Sequence, residues 1–227
     1  MGFTMNVAFT LRCDGRQQYI EHTVQSILDH VRAPHFTYGV IVDDSGDADY
    51  AAWLDKTFPF LERLHHPERR GLGGCFKSAL EVVLGTDADW AFMVEDDTPI
   101  LRDVILTPMA DVLNSNPSLS QLMFMRPPFN SEEIRAGGVY QLNPDAFTER
   151  TNGTEHWVEH DRWYGFQPHL TSRRVIECIV ANATDFLELG VTDALKPAGY
   201  HFGYWGALTD PPLCDHAGQA RSTGYRW

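Results

Sequence analysis

"ADWAFMVEDDTPIL", residues 88–101, decides how the rest of the chain is read. Trp90 to Val94 form an uninterrupted apolar run, and Glu95, Asp96 and Asp97 follow it directly. A short apolar run bounded by polar residues reads as a strand buried on both faces, the habit of a parallel sheet. Three adjacent carboxylates at its tip repel one another, so something must offset their charge. A hard divalent cation does so, because Mg²⁺ and Mn²⁺ take oxygen ligands. Mg²⁺ usually meets a protein through one or two carboxylates and completes its shell with water and phosphate oxygens. The acidic tip therefore implies a phosphorylated ligand.

Outward from this strand, apolar periodicity alternates between the periods of strand and helix. "NVAFTLR" (6–12) predicts a strand, and Ile20, Val24, Ile27, Leu28 and Val31 share one face of the helix after it. "YGVIVDDSG" (38–46) predicts a second strand, "ADYAAWLDKTF" (48–58) a helix and "LERLHH" (61–66) a weaker strand. "GGCFKSALEVVLG" (73–85) predicts the helix that leads into the opening stretch; "DVILTPMADVLN" (103–114) and "LSQLMFMR" (119–126) add a helix and a strand. The expected fold is α/β, a mostly parallel sheet flanked by helices on both faces. In such sheets ligands bind beyond the carboxyl ends of the strands. Three strands end there in reactive groups: Thr10, Arg12 and Asp14; Asp43 and Asp44; and Glu95, Asp96 and Asp97. Asp47 and Asp103 read as ordinary turn or cap residues.

Composition narrows the classes. With 227 residues, 43% of them hydrophobic, the chain can bury one good core, and a single domain is expected. Eighteen Lys and Arg against 31 Asp and Glu give a formal charge of -13, which repels nucleic acid and anionic membranes and argues against non-specific DNA binding. The N-terminal residues show no signal-like pattern, and no apolar run reaches the roughly 18 residues of a membrane span. A soluble, cytoplasmic protein is the expectation. Four cysteines without a C-x-x-C pair fit reduced thiols. No G-x-S-x-G suggests a nucleophilic triad.

Several of these segments together resemble the nucleotide-sugar glycosyltransferases of the GT-A (Rossmann-like) fold, in particular the large inverting family with many bacterial and phage members. "VDDSGD" (42–47) is similar to the motif whose acid contacts the nucleobase and ribose, which implies donor contacts at Asp43 and Asp44. "ERRGLGGCFKSAL" (68–80) is similar to the next motif, implying that Arg70, Gly71, Gly73 and Lys77 lie along the nucleotide. "FMVEDDTPIL" (92–101) resembles the D-x-D motif, with Glu95 and Asp97 at its outer positions: Asp97 is then a metal ligand, and Glu95 or Asp96 faces the ribose or a metal-bound water. Thr10 and Arg12 join the donor set from the first strand end. Glu in place of the usual first Asp is a departure from the family pattern.

The resemblance divides the domain into a nucleotide-sugar half, 1–128, and an acceptor half, 129–227. The aromatic, His-rich "EHWVEHDRWYGFQPHL" (155–170) then implies an acceptor wall, here Trp157, Trp163 and His169, since rings suit the apolar face of a sugar. The family places a catalytic acid about eleven residues before a Gly-Tyr strand start; counting back from Gly199 reaches Glu188, a general base for an inverting displacement. Glu159 and Asp161 are reserve candidates. "HAGQARS" (216–222) resembles the terminal His-x-Gly segment, which makes His216 a second metal ligand and Arg221 a diphosphate contact. A histidine ligand suits Mn²⁺ better than Mg²⁺. The implied activity is a metal-dependent transfer, with inversion, from a nucleotide sugar (a UDP-sugar first) to an acceptor hydroxyl on a glycan, protein or small molecule; a modified DNA base stays open. A sugar-phosphate nucleotidyltransferase fits less well, because "TLRCDGRQQY" has one glycine where that class needs a Gly-rich basic loop. A non-catalytic carbohydrate-binding module would need the aromatics without Glu188, His216 and the strand-end acids.

Overall fold

The computed structural model describes residues 5–33 and 36–218. In chain order its elements are β1 (Val7–Cys13), α1 (Gln17–His30), β2 (Val31–Arg32), β3 (Phe36–Asp43), α2 (Ala48–Thr57), β4 (Glu62–His65), α3 (Gly71–Leu84), β5 (Trp90–Glu95), β6 (Val104–Ile105), α4 (Leu106–Ser115) and β7 (Leu119–Phe124). There follow α5 (Ser131–Ala136), α6 (Val139–Leu142), β8 (Thr148–Thr151), β9 (His156–His160), β10 (His169–Ser172), α7 (Arg173–Asn182), α8 (Glu188–Leu195) and β11 (His201–Trp205).

Nine strands form one sheet in the order β4-β3-β1-β5-β10-β7-β11-β9-β8. β4, β3, β1 and β5 are mutually parallel, as expected from the alternating pattern. β10 runs antiparallel to both β5 and β7, and β9 antiparallel to β11 and β8. The two sequence halves are therefore interleaved: β10 and β11, from beyond residue 128, flank β7 on either side. β2 and β6 make a separate two-stranded sheet.

Alternation along the strands sorts the core into two layers. Val7, Phe9 and Leu11 of β1 and Phe92 and Val94 of β5 face α1 and α4. Ala8, Ala91 and Met93 face α3, α7 and α8. Each fully buried Leu, Ile or Phe contributes on the order of 1.5–3 kcal/mol. The same alternation divides the strand-end groups. Thr10, Arg12 and Glu95 continue on the α3 side, and Asp96 falls on the α1 side, where Thr23 of α1 donates to its carbonyl at 2.6 Å.

Candidate active site

Parallel pairing puts the polar strand ends at one edge: Arg12 lies beside Glu95, and Cys13 beside Asp43. Backbone bonds prolong the ladder into the loops, with Asp44 N–H donating to Cys13 O and Asp96 N–H to Arg12 O, each at 2.9 Å. The three acids of the opening stretch thus stand among groups from β1, β3 and α1.

Asp96 and Asp97 are offset by one cation absent from the sequence-based candidates. Arg16, at the N-terminus of α1, donates from Nε to Asp14 Oδ1 at 2.7 Å, from Nη1 to Asp97 Oδ2 at 2.8 Å and from Nη2 to Asp96 Oδ1. Burial disfavours its charge, but the three carboxylates outweigh that and hold the guanidinium more firmly protonated than usual. Burial pushes Asp96 well above the carboxylate range, with Arg16 opposing. Asp96 Oδ2 and Asp14 Oδ2 are buried acceptors without a hydrogen-bond partner among the described residues.

Asp97 also meets the C-terminal segment. Leu101 N–H donates to Leu213 O, Asp215 N–H to Pro99 O and Ala217 N–H to Asp97 O, so residues 213–217 run against 97–101. This carries His216 Nε2 to 3.7 Å from Asp97 Oδ2, with the Phe129 ring packed at a tilt against the imidazole, 4.1 Å between centroids. Burial lowers the affinity of His216 for a proton, and Asp97 opposes. Gly218 continues the approach: a Cβ there would lie 2.0 Å from Asp97 Oδ2, so only glycine fits without movement. The two expected metal ligands are thus neighbours, and a carboxylate oxygen with an unprotonated imidazole nitrogen suits Mn²⁺. Among the described residues no three His, Cys, Asp or Glu side chains converge on one point, so phosphate and water oxygens would complete the shell.

On the α3 side, Arg12 is buried at 3% exposure between the rings of Phe76 and Phe166, 4.9 and 4.7 Å from their centroids. Its Nη2 lies 3.5 Å from Glu95 Oε1 and donates to Phe166 O at 3.3 Å. The Phe166 N–H in turn donates to Glu188 Oε1 at 3.0 Å. The backbone of one residue, Phe166, therefore connects the strand-end pair to Glu188, the first residue of α8. Glu188 faces a cavity of about 160 Å³ whose walls include Arg126, Trp163, Gln167 and Tyr204. Loss of water raises its carboxyl above the ordinary glutamate value; the Phe166 amide, Arg12 and Arg126 pull the other way. Burial likewise pushes Glu95 up to about 7, opposed by Arg12. Thr10 is fully buried two residues before Arg12, its hydroxyl unpartnered among the described residues.

Other expected donor contacts have structural employment. Asp44 is fully buried and accepts from Arg70 N–H at 2.8 Å, Gly71 N–H at 2.9 Å and His66 Nδ1 at 2.8 Å, so it anchors the start of α3. Gly71 therefore gives its amide to Asp44, and Gly73 packs against the Phe186–Leu187 backbone. Lys77 pairs with Glu81 at 3.7 Å and lies over the Phe186 ring. Asp43 is also fully buried, bonded to Ser45 N–H and to His65 Nδ1 at 2.7 Å; the partly exposed His65 ring is what this strand end presents. Arg70 remains exposed.

The expected acceptor wall needs correction. Trp157 is 5% exposed and packs in the core, its Nε1 donating to Glu159 at 2.9 Å. His169 is fully buried in β10, held by Tyr164 Oη and Gln167 O at 2.7 Å, and burial pushes its pKa down to about 3. Trp163 alone of the three borders the Glu188 cavity. Glu159 is taken up by Trp157 and Arg150, and Asp161 stands on the open surface beside Arg162. Arg221 lies outside the described residues. The site residues that sequence reasoning missed are Arg16, Arg126, Gln167 and Tyr204. The signal for Arg16 was its place two residues after Asp14 at a helix start, opposite an acid cluster needing a cation; the other three carried none.

No family model matches the chain, and no curated protein matches it. Solved structures do. The mannosyltransferase PcManGT of Pyrobaculum calidifontis, in complex with GDP-Man and Mn²⁺, superposes over 96% of this chain with a TM-score of 0.53 at 14% identity. Staphylococcus aureus TarS residues 1–349, in complex with UDP-GlcNAc, matches over 96% with a TM-score of 0.59 at 12% identity. The TarS complex with UDP matches over 93%, with a TM-score of 0.58 at 13% identity. The chain spans 58 to 62% of the length of these structures. No helix among the described residues is long and apolar enough to cross a membrane. The chain has the GT-A-like α/β fold of these nucleotide-sugar glycosyltransferases.

Proposed function

We propose that the protein transfers a sugar from a nucleoside-diphosphate sugar, a UDP-sugar first among the candidates, to an acceptor hydroxyl with inversion. The observation that carries this reading is the chain of contacts from Glu95 through Arg12 and the Phe166 backbone to Glu188. It ties a carboxyl of raised proton affinity to the edge where this fold binds its donor. Glu188 takes the hydroxyl proton while the acceptor oxygen bonds to the anomeric carbon and the bond to the diphosphate breaks on the opposite face. Trp163 and Tyr204 border the acceptor cavity, and Arg126 and Gln167 offer it polar contacts. Arg70, exposed at the start of α3, would contact the diphosphate; Arg221, given the same role by the resemblance, lies outside the described residues. Asp97 and His216 would hold Mn²⁺ or Mg²⁺, which when bound supplies electrostatic stabilisation of the leaving diphosphate.

The test is thermal unfolding with UDP-, GDP-, CMP- and dTDP-sugars, with and without Mn²⁺, on the native chain and on Asp97→Ala. A ligand at about 100 times its Kd stabilises the folded state by about 2.7 kcal/mol. One nucleotide class should raise Tm only with Mn²⁺, and Asp97→Ala should abolish the rise. No shift from any nucleotide sugar overturns the reading.

A further inference from the structure

Asp97 Oδ2 has two claimants. It is the oxygen that faces His216 Nε2 at 3.7 Å, and the oxygen that accepts from Arg16 Nη1 at 2.8 Å. A guanidinium and a divalent cation cannot both occupy one carboxylate oxygen at contact distance, because like charges about 4 Å apart repel by several kcal/mol in a partly buried site. Arg16 is also pinned by Asp14 and Asp96, so it cannot retreat freely into solvent. Two buried acceptors beside it, Asp14 Oδ2 and Asp96 Oδ2, have no partner among the described residues, so the cluster still lacks hydrogen-bond donors with Arg16 in place.

We propose that Arg16 is a resident counter-cation that bars a free divalent ion from the Asp97–His216 seat, and that the ion enters only together with a nucleoside diphosphate. The inference rests on the metal site of the proposed function. Metal entry draws the Asp97 oxygen away from Nη1. The freed N–H then needs an anionic acceptor within reach, and a diphosphate oxygen brought in with the ion provides one. Neither partner alone meets this condition: the ion alone leaves two cations opposed, and the diphosphate alone faces three carboxylates. Arg16 thereby makes binding of metal and nucleotide strongly cooperative and leaves the acid cluster neutralised between turnovers.

The experiment is electron paramagnetic resonance of free Mn²⁺ titrated with the native protein, Arg16→Gln and Arg16→Lys, each alone and with saturating UDP or GDP. Native protein should bind Mn²⁺ alone at least tenfold more weakly than in the presence of the diphosphate that binds. Arg16→Gln should bind Mn²⁺ alone about tenfold or more tightly than native protein and lose most of the cooperativity. Arg16→Lys, which keeps a charge but lacks the three-way fork, should fall between them. If Arg16→Gln does not fold, Arg16→Lys carries the test by the same comparison. Native protein that binds Mn²⁺ alone as tightly as with diphosphate overturns the proposal and leaves the glycosyltransferase reading standing. A folded variant with native metal affinity and cooperativity overturns it too. Absence of Mn²⁺ binding in every arm removes the metal site itself, and the proposal with it.

Discussion

Replacing Glu188 by Gln separates chemistry from architecture. The Gln side-chain oxygen can keep the bond that Glu188 Oε1 accepts from Phe166 N–H at 3.0 Å, so the Phe166 backbone linking Arg12 to α8 stays in place. Burial raises the proton affinity of Glu188 in the folded state, which means that ionising it costs more there than in the unfolded chain. A neutral amide removes that penalty, so Tm should hold or rise slightly. Activity should fall by about 10²–10⁴-fold, the usual contribution of a general base, or roughly 3–5 kcal/mol in the barrier. The assay is release of nucleoside diphosphate from the nucleotide sugar that binds, with water as acceptor. Because the base must be ionised, native kcat/KM should rise as pH climbs through a value above the ordinary glutamate pKa of about 4.3 and then level off. The Gln variant should lack that acid limb. A folded Gln variant that releases product within about threefold of native, or retains the limb, would falsify the assignment of Glu188 as base.

Other expected outcomes are structural. Asp44→Ala strips two amides and His66 of their shared acceptor, at about 3 kcal/mol in total, and should lower Tm by about 6–12 °C in calorimetry. His201, Trp157 and Arg150 hold Glu159 at about 2, below its unfolded value near 4.3, so its contribution is present above that value and lost as pH falls toward 2. Glu159→Gln should therefore cost about 1 kcal/mol near neutrality, because Arg150 is exposed and His201 partly so, and should flatten the native loss of stability between pH 4.5 and 2 in denaturant titrations. Gly218→Ala puts a methyl where Asp97 Oδ2 now lies, and should weaken Mn²⁺-dependent nucleotide binding by about tenfold while shifting Tm by no more than about 2 °C; unchanged binding would show that the tail does not seat at Asp97.

The parallel half was legible because buried strands and amphipathic helices differ in period, and every element expected from residue 6 to 126 is present within a few residues of its expected bounds. The hairpin β8–β9 was not, since "HWVEH" reads by composition as a sugar-binding cluster. In the structure, pairing with β11 turns Trp157 and Val158 inward on opposite faces, and a sequence window cannot say which neighbour a strand will find. Asp97 and His216 could be singled out from their local sequence, and the fold brings them within 3.7 Å of each other. Arg16 was hidden because its meaning lies in carboxylates 80 and 81 residues away. Asp44 shows the converse, a motif acid whose oxygens are filled by the loop it shapes.

The interleaving of the sheet has a consequence for how the molecule can be made. β10 fills the slot between β5 and β7, strands that precede it by more than forty residues. A fragment ending at 128 would hold those two strands apart by one missing strand, a gap of about 10 Å, with unsatisfied backbone along both margins. Such margins capture strands from other molecules, so the fragment should accumulate as insoluble aggregates. Residues 129–227 supplied in trans should rescue it by donating His169–Ser172, which makes split-protein complementation a direct assay of this topology. During synthesis the same slot stays open until the ribosome has delivered residue 172, and the nascent chain depends until then on chaperones or dilution to keep its edges from pairing elsewhere.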